Sequence, residues 1–151
     1  MRIGNIVTEV LGVPTAHDCV AGLTPRDNCR YALDVGCGRY SHFTFCRPRP
    51  FTVGVDPFAP AIEMSKVNGL HDAYEQMAIP KDVRYRLTDL VPGGSFDMAG
   101  LFGVIEYLPR REGYTLQDRC EVLIGKCLVV ETPNGFLERG PRSGNEFQRH
   151  R

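Results

Sequence analysis

Two short segments, Leu33–Gly38 and Val53–Asp56, constrain the fold of this chain more than any other feature. The first, LDVGCG, is typical of a buried strand that runs into a glycine turn, and the second, VGVD, of a neighbouring strand that ends on a carboxylate. Glycines in such a turn let the backbone approach a ligand closely, because a side chain there would fill the ligand's space. Asp56 lies 22 positions after Asp34. This spacing is typical of a nucleoside pocket in which the acid accepts hydrogen bonds from two ribose hydroxyls.

Length and composition indicate one soluble globular domain. The chain has 151 residues, of which 42% are hydrophobic and 24% are charged, and these values are ordinary for such a domain. Eighteen basic and eighteen acidic residues cancel, so no global field favours nucleic acid or an anionic membrane. No apolar run approaches the ~20 residues of a membrane helix, and the N-terminus is a poor signal peptide. We therefore expect a cytoplasmic protein without membrane contact.

The cysteines do not indicate a metal or redox site. Six are present and none forms a Cys-x-x-Cys pair, so the sequence predicts reduced thiols. His17 and Cys19 could be proposed as metal ligands, but the sequence does not favour a metal site there. We expect no metal.

Strands and helices alternate along the chain, which predicts a mostly parallel sheet covered on both faces. The expected fold is a Rossmann-like three-layer α/β/α sandwich with about five strands. Between Gly38 and Phe51 there is room for little more than one helical turn, because Pro48 and Pro50 break any longer helix. The predicted strands are 31–35, 51–55, 74–79, 96–102 and 127–130, and the predicted helices are 60–68, 81–90 and about 111–124.

Three regions are expected along the chain: an N-terminal cap segment at 1–29, a ligand-binding domain at 30–135 and an irregular tail at 136–151. Apart from a short amphipathic start, the cap segment is predicted to be turn-rich up to Asn28, because it contains Pro14, Gly22 and Pro25.

The conspicuous polar and glycine features cluster where the predicted strands end. In an open parallel sheet, ligands bind outside the carboxyl ends of the strands, where the strand order reverses. The sequence therefore predicts a ligand site at this edge. The features concerned are 36–38, Asp56, 77–79, 102–106 and 132–134.

These segments resemble the successive motifs of class I S-adenosylmethionine-dependent methyltransferases. Further segments are similar to one small, poorly characterised branch of that family, and the likeness covers roughly residues 30 to 150. The motifs of the larger family are Asp34-x-Gly36-x-Gly38, Gly54-Val55-Asp56, Ser95-Phe96-Asp97 and Val104-Ile105-Glu106-Tyr107-Leu108. The segments typical of the branch are His71-Asp72-Ala73-Tyr74, the run from Val130 to Phe136, and Asn145-x-x-Gln148-x-His150.

The resemblance implies a cofactor, S-adenosylmethionine, and a set of residues that hold it. The glycine turn would lie under its methionine part, with Asp34 orienting the turn and approaching the amino group. Asp56 would hold the ribose hydroxyls, and Phe102 and Gly103 would line the pocket near the transferable methyl. The full implied set is Asp34, Gly36, Cys37, Gly38, Asp56, Pro57, Met77, Ala78, Phe102 and Gly103.

Three positions depart from the family pattern. Tyr40 stands where many members have a third glycine, and Tyr107 stands where members carry histidine. Ala78 stands where the family usually has an acid facing the adenine amino group, and Asp82 is the substitute if the loop shifts.

The implied reaction is transfer of the sulfonium methyl to an unidentified small-molecule acceptor by in-line displacement. His42, Glu106 and Asn134 lie on candidate loops, but none is assigned as a base and the catalytic residues stay unknown. One alternative is an S-adenosylmethionine-binding domain without catalysis. A less favoured one is a nicotinamide-dependent dehydrogenase, which would need a glycine where Ser41 stands and a full crossover helix after the turn.

The family sheet normally has seven strands, the last two forming an antiparallel pair after strand five. Only 19 residues follow Thr132, and they contain no alternating apolar run long enough for two strands. We therefore expect this pair to be missing, as in a fragment or a shortened gene. The exposed edge of strand five is then a candidate surface for self-association or for a partner.

Overall fold

The computed structural model describes residues 14–78 and 84–133, which form one five-stranded sheet with helices on its faces. All neighbouring strands run parallel in the order β3-β2-β1-β4-β5. This arrangement confirms the predicted Rossmann-like fold class. The strands are β1 (Tyr31–Val35), β2 (Phe51–Asp56), β3 (Ala73–Gln76), β4 (Phe96–Phe102) and β5 (Ile124–Glu131). The helices are α1 (Ala16–Arg26), α2 (Ala59–Val67), α3 (Arg84–Thr88) and α4 (Arg110–Leu123), with 3-10 turns at His42–Phe45 and Ile105–Tyr107.

The strand order reverses between β1 and β4. From β1 the chain adds β2 and β3 on one side, and then crosses to add β4 and β5 on the other. The carboxyl ends of β1 and β4, at Val35 and Phe102, therefore lie at the switch point where such sheets bind ligands.

Two apolar clusters lie on opposite faces of the sheet, because successive side chains of a strand alternate between faces. Leu33 belongs to the cluster that α4 covers with Leu116 and Leu123. Ala32 belongs to the second cluster, which includes Val20 of α1. Helices thus cover both faces, as the three-layer prediction requires.

The prediction of a turn-rich segment before Asn28 is wrong for residues 16–26, which form α1. Thr15 begins this helix with a capping box: its hydroxyl accepts the amide of Asp18, and the Asp18 carboxylate accepts the amide of Thr15 at 2.9 Å. Pro25 lies in the last turn, and the helix ends one residue later at Arg26, since proline cannot donate the hydrogen bond of a helix to the carbonyl four residues before it. The role of residues 1–29 as a cap stays a prediction, since 1–13 lie outside the described residues.

Several predicted boundaries shift. Strand β3 ends at Gln76 rather than at 79, and β5 begins at Ile124 because α4 leads directly into it. The start of the helix predicted at 81–90 lies outside the described residues, and its described part is α3.

The predicted tail and the predicted absence of an antiparallel pair fall on residues 134–151, outside the described part of the chain. In the sheet of the described residues, β5 is an edge strand that pairs with β4 alone. Association through this edge stays a prediction. Over the same residues, the helices are too short or too polar to cross a bilayer.

Candidate functional site

A cavity of about 330 Å³ lies at the carboxyl ends of β1, β4 and β5. Its position is the switch point of the sheet, as the sequence predicts for a ligand site. The lining residues are Asp34, Gly36, Cys37, Gly38, Arg39, Tyr40, His42, Phe102, Gly103, Glu106, Glu131, Thr132 and Pro133.

The glycine turn forms the floor of the cavity under β1. The amides of Gly36 and Cys37 both donate to the carbonyl of Val55, at 2.7 and 3.0 Å, so the turn is tied to β2. Gly36 has a φ of +68°, and a Cβ there would lie 2.6 Å from Cγ2 of Val104. The backbone conformation and the close approach of Val104 both require glycine at this position.

Asp34 is buried in β1 beside this turn. The hydroxyl of Ser41 donates to its Oδ2 at 2.7 Å, and Nε2 of His71 lies 3.6 Å from the same oxygen. Burial raises the pKa of Asp34 to about 7, the negative charge of Asp56 acts in the same direction, and the hydrogen bond from Ser41 opposes both. A cation bound in the cavity would favour the ionised form of this carboxyl.

His71 is the buried partner of Asp34, and no motif in the sequence predicted a role for its side chain. Its ring occupies space left by Gly54, since a Cβ there would lie 2.5 Å from Cδ2 of His71. Burial lowers the pKa of His71 to about 4, and the positive charge of Arg49 adds to this shift. Neither ring nitrogen has a hydrogen-bond partner among the described residues. The environment therefore favours an uncharged imidazole beside an uncharged carboxyl.

Asp56 holds the glycine turn from the end of β2. Its carboxylate accepts the amide of Gly38 at 3.0 Å and the amide of Phe58 at 2.8 Å. Burial raises the pKa of Asp56, while these two amides act in the opposite direction. The carboxylate thus fixes the shape of the turn, and the remaining lone pairs of its two oxygens can accept further donors.

The structure brings together six of the ten residues that the resemblance implies. The four that do not line the cavity are Asp56, Pro57, Met77 and Ala78, which lie at the ends of β2 and β3. Those that line it are Asp34, Gly36, Cys37, Gly38, Phe102 and Gly103. The candidate substitute Asp82 and the candidate loop residue Asn134 lie outside the described residues.

Sequence reasoning assigned no role to Arg39, Glu131, Thr132 and Pro133, all of which line the cavity. Two features of the sequence pointed to this region: the position of 132–134 at the end of a predicted strand, and the resemblance of the run from Val130 to Phe136 to a branch of the family. Nothing in the sequence indicated that Glu131 would lie beside the loop after β1.

Glu131 faces His42 across the cavity wall. Its Oε2 lies 3.3 Å from Nε2 of His42, and the two side chains are 48% and 14% exposed. The His42 ring packs 4.4 Å from the ring of Phe102. Burial lowers the pKa of His42 and the nearby His17 adds to this, whereas Glu131 raises it. This wall therefore contains an imidazole that can accept a proton and a carboxylate that can balance its charge.

In the part of the chain at 14–78 and 84–133, no three His, Cys, Asp or Glu side chains converge into a set that could hold a metal ion.

Comparisons with known proteins give structural neighbours only, since no family model and no curated protein matches the sequence. An S-adenosylmethionine-dependent methyltransferase from Archaeoglobus fulgidus aligns over 88% of this chain and 59% of its own, with a TM-score of 0.54 and 19% identity. Magnesium protoporphyrin IX methyltransferase from Synechocystis PCC 6803, solved with bound S-adenosylmethionine, aligns over 76% and 55%, with a TM-score of 0.58 and 14% identity. DesVI from Streptomyces venezuelae aligns over 82% and 53%, with a TM-score of 0.60 and 18% identity.

These neighbours establish the architecture. The chain has the fold of class I S-adenosylmethionine-dependent methyltransferases, at low sequence identity. It spans a little over half the length of each of the three neighbours described. The activity and substrates of the protein are therefore matters for proposal.

Proposed function

We propose that the chain is an S-adenosylmethionine-dependent methyltransferase that acts on a small-molecule acceptor. The observation that carries this proposal is the glycine turn at 36–38, which lies at the floor of the cavity and is tied on both sides to β2. The amides of Gly36 and Cys37 donate to Val55, and Gly38 donates to Asp56. The fold shared with solved methyltransferases supports the same function.

The charge of the cavity fits this cofactor. Among the described residues, three carboxyl groups line it, those of Asp34, Glu106 and Glu131, against the one guanidinium of Arg39. S-adenosylmethionine carries a sulfonium and an α-ammonium group, and both favour an acidic surrounding. Asp34 is the carboxyl we assign to the ammonium, directly or through water.

Further residues would hold the other parts of the cofactor. The turn at 36–38 would lie under the methionine backbone, because Gly36 and Gly38 line the cavity without a side chain between the backbone and a ligand. Asp56 would accept the ribose hydroxyls with its remaining lone pairs, and Met77 and Ala78 would lie at the adenine end. Phe102 and Gly103 would line the space around the reacting centre.

The protein contributes to this reaction mainly by positioning the acceptor. When bound, the cofactor supplies an electrophilic methyl on sulfur. The protein has to hold the acceptor in line with the methyl–sulfur bond, and such alignment can be worth ~7–11 kcal/mol of barrier. A general base is needed only where the acceptor must lose a proton.

A small molecule is the expected class of acceptor. The net charge is zero, which gives no field to recruit nucleic acid. The Synechocystis neighbour is by name a methyltransferase of a small molecule, magnesium protoporphyrin IX.

The proposal is tested by transfer of a labelled methyl group from S-adenosylmethionine to fractionated cell metabolites. We expect label in a small-molecule fraction and none in nucleic acid. Label that appears only in nucleic acid would contradict the choice of acceptor. Saturable cofactor binding without transfer to any fraction would instead favour the binding domain without catalysis.

A further inference from the structure

The ring of Phe102 lies folded back along β4, over Gly100. A Cβ on Gly100 would lie 2.1 Å from Cε2 and 2.5 Å from Cζ of Phe102, so the far end of the ring occupies the place of the missing side chain. The two residues are two positions apart in one strand and therefore face the same side of the sheet. The ring thus extends towards the amino end of β4, whereas the cavity that Phe102 lines lies at the carboxyl ends of the strands.

Neighbouring rings pack against Phe102 in this position. The His42 ring lies 4.4 Å from the Phe102 ring, and the Phe43 ring meets it edge-on at 5.9 Å. Phe43 is fully buried, and Phe102 packs against the same apolar cluster, which also contains Met98. We call this place, with Gly100 at its base and His42 and Phe43 at its side, the Gly100 niche.

Asp34 has a glycine beside it on each neighbouring strand. It pairs in register with Gly100 of β4 and with Gly54 of β2, so the three positions lie side by side on one face of the sheet. A Cβ at Gly54 would lie 2.5 Å from Cδ2 of His71. Each glycine therefore gives the space of a side chain to a ring, and Gly100 gives it to Phe102. Neither glycine has a positive φ, so it is this space, and not the backbone conformation, that requires glycine.

A side chain at position 100 would displace the ring and not the strand. The colliding atoms lie at the far end of a side chain that can turn about χ1, whereas Gly100 is buried in β4, which pairs with β1 on one side and with β5 on the other. The rings of His42 and Phe43 oppose a sideways movement. A turn towards the carboxyl end of β4 would take the ring into the cavity.

We propose that Gly100 is a positioning residue that keeps the reacting centre open, and that the Phe102 ring in the Gly100 niche limits the size of the group that sulfur can carry there. This inference rests on the proposed function, which assigns Phe102 to the space around the methyl. A fixed ring in a packed wall opposes even one extra methylene. The centre should therefore favour a methyl group over bulkier alkyl groups.

Calorimetric titration with S-adenosylmethionine tests the role of Gly100. The proteins compared are the parent, Gly100→Ala, Phe102→Ala and the double variant. Gly100→Ala should weaken binding about tenfold or more, because the displaced ring occupies space that the ligand needs. The double variant should bind within a few-fold of Phe102→Ala, because it has no ring to displace. The readout is the affinity of folded protein, which a mere loss of stability does not change while urea unfolding shows each variant to be folded.

Gly125→Ala is the matched control for the new methyl group. Gly125 lies in the neighbouring strand β5, and a Cβ there would meet the carbonyl oxygen of Phe96 at 3.8 Å. That distance is an ordinary van der Waals contact, so no ring has to move. The affinity of this variant for S-adenosylmethionine should equal that of the parent.

Two cofactor fragments test the size limit without the Gly100→Ala substitution. They are 5′-methylthioadenosine and 5′-benzylthioadenosine, which differ only in the group on sulfur. In Phe102→Ala the Gly100 niche is open to the cavity and can take the benzyl ring. We expect the parent to prefer the methyl compound, and this preference to fall about tenfold or more in Phe102→Ala. Phe96→Leu is the control, because it shortens a buried ring at the opposite end of β4, and it should keep the parental preference.

Three results would overturn the inference. They are parental affinity in Gly100→Ala, a double variant that binds no better than Gly100→Ala, and an unchanged preference for the methyl compound in Phe102→Ala. Each of them, with a parent that binds S-adenosylmethionine, leaves the proposed function standing. Only a parent that fails to bind S-adenosylmethionine would contradict the proposed function as well, so the two failures are distinguishable.

Discussion

Nε2 of His71 lies 3.6 Å from Oδ2 of Asp34, and the two side chains are 0% and 2% exposed. In the folded protein the pKa of Asp34 is raised to about 7 and that of His71 is lowered to about 4. The unfolded values are about 3.9 and 6.5. Between about pH 4 and 6.5 the folded pair keeps one proton on Asp34, and the unfolded chain keeps one on His71. The two contributions to the pH dependence of stability therefore oppose each other.

Replacement of one partner should expose the contribution of the other. In His71→Leu, Asp34 still binds a proton more tightly in the folded state. Its stabilising contribution is complete below pH 4 and is lost as the pH rises towards 7, with a limiting slope of ~1.4 kcal/mol per pH unit. In Asp34→Asn, the depressed pKa of His71 gives the opposite slope, so stability falls as the pH drops from 6.5 towards 4.

Urea unfolding at pH 4.5, 5.5 and 6.5 measures these slopes. In the parent we expect the pair to add almost no pH dependence to the free energy of unfolding. That free energy should fall as the pH rises in His71→Leu and should increase with pH in Asp34→Asn. Parallel pH dependences in all three proteins would contradict the assignment of charge states.

Gly36→Ala should damage the turn under the cavity. The φ of +68° strains any other residue by ~1–3 kcal/mol, and the new Cβ would lie 2.6 Å from Val104. We expect lower stability in thermal unfolding and at least a tenfold loss of S-adenosylmethionine affinity. A variant that retains parental affinity would show that the turn does not carry the cofactor.

Gly113→Ala is the matched control for this substitution. Gly113 lies in α4, and a Cβ there would meet nothing within 4 Å. Alanine in a helix is favoured over glycine by ~0.5–1 kcal/mol. We therefore expect a small rise in stability with cofactor affinity unchanged.

Cys37 is expected to be a turn residue and not a nucleophile. Its thiol is buried, and its pKa is raised by burial and then by the charges of Asp34 and Asp56. Because the thiolate is the reactive form, Cys37→Ser should leave methyl transfer within a few-fold of the parent. Iodoacetamide should label the exposed Cys19 long before Cys37.

A hundredfold loss of transfer in Cys37→Ser, with cofactor binding intact, would show that the thiol takes part in the chemistry.

The fold was predictable where buried runs and turn residues coincide. The predicted β1 and β4 match the observed bounds, because each is an apolar run with a single acid, Asp34 or Asp97. The helix α1 was missed because Pro14, Gly22 and Pro25 suggested turns. Its start signal is the Thr15–Asp18 capping box, a local pairing that outweighs those residues.

The candidate site was predictable only in part. The glycine turn could be predicted from one continuous motif, residues 34–38. Glu131 follows His42 by 89 positions, and the two come within reach because β1 and β5 both pair with β4, one on each side of it. His71 reaches Asp34 because Gly54 leaves space for its ring. Such meetings depend on strand order and on side-chain volume, and no local pattern encodes them.

Isothermal titration calorimetry tests most directly whether the cavity binds S-adenosylmethionine. The parent and Asp56→Asn are titrated with S-adenosylmethionine, with its demethylated product and with NADH. We expect saturable binding of the first two ligands to the parent and none of NADH. Asp56→Asn should weaken binding by more than the ~0.5–1.5 kcal/mol of one ribose hydrogen bond, because its NH₂ group would also face one of the two backbone amides that the carboxylate accepts. Urea unfolding confirms that the variant is folded. Micromolar binding of NADH by the parent, with no binding of S-adenosylmethionine, would contradict the account.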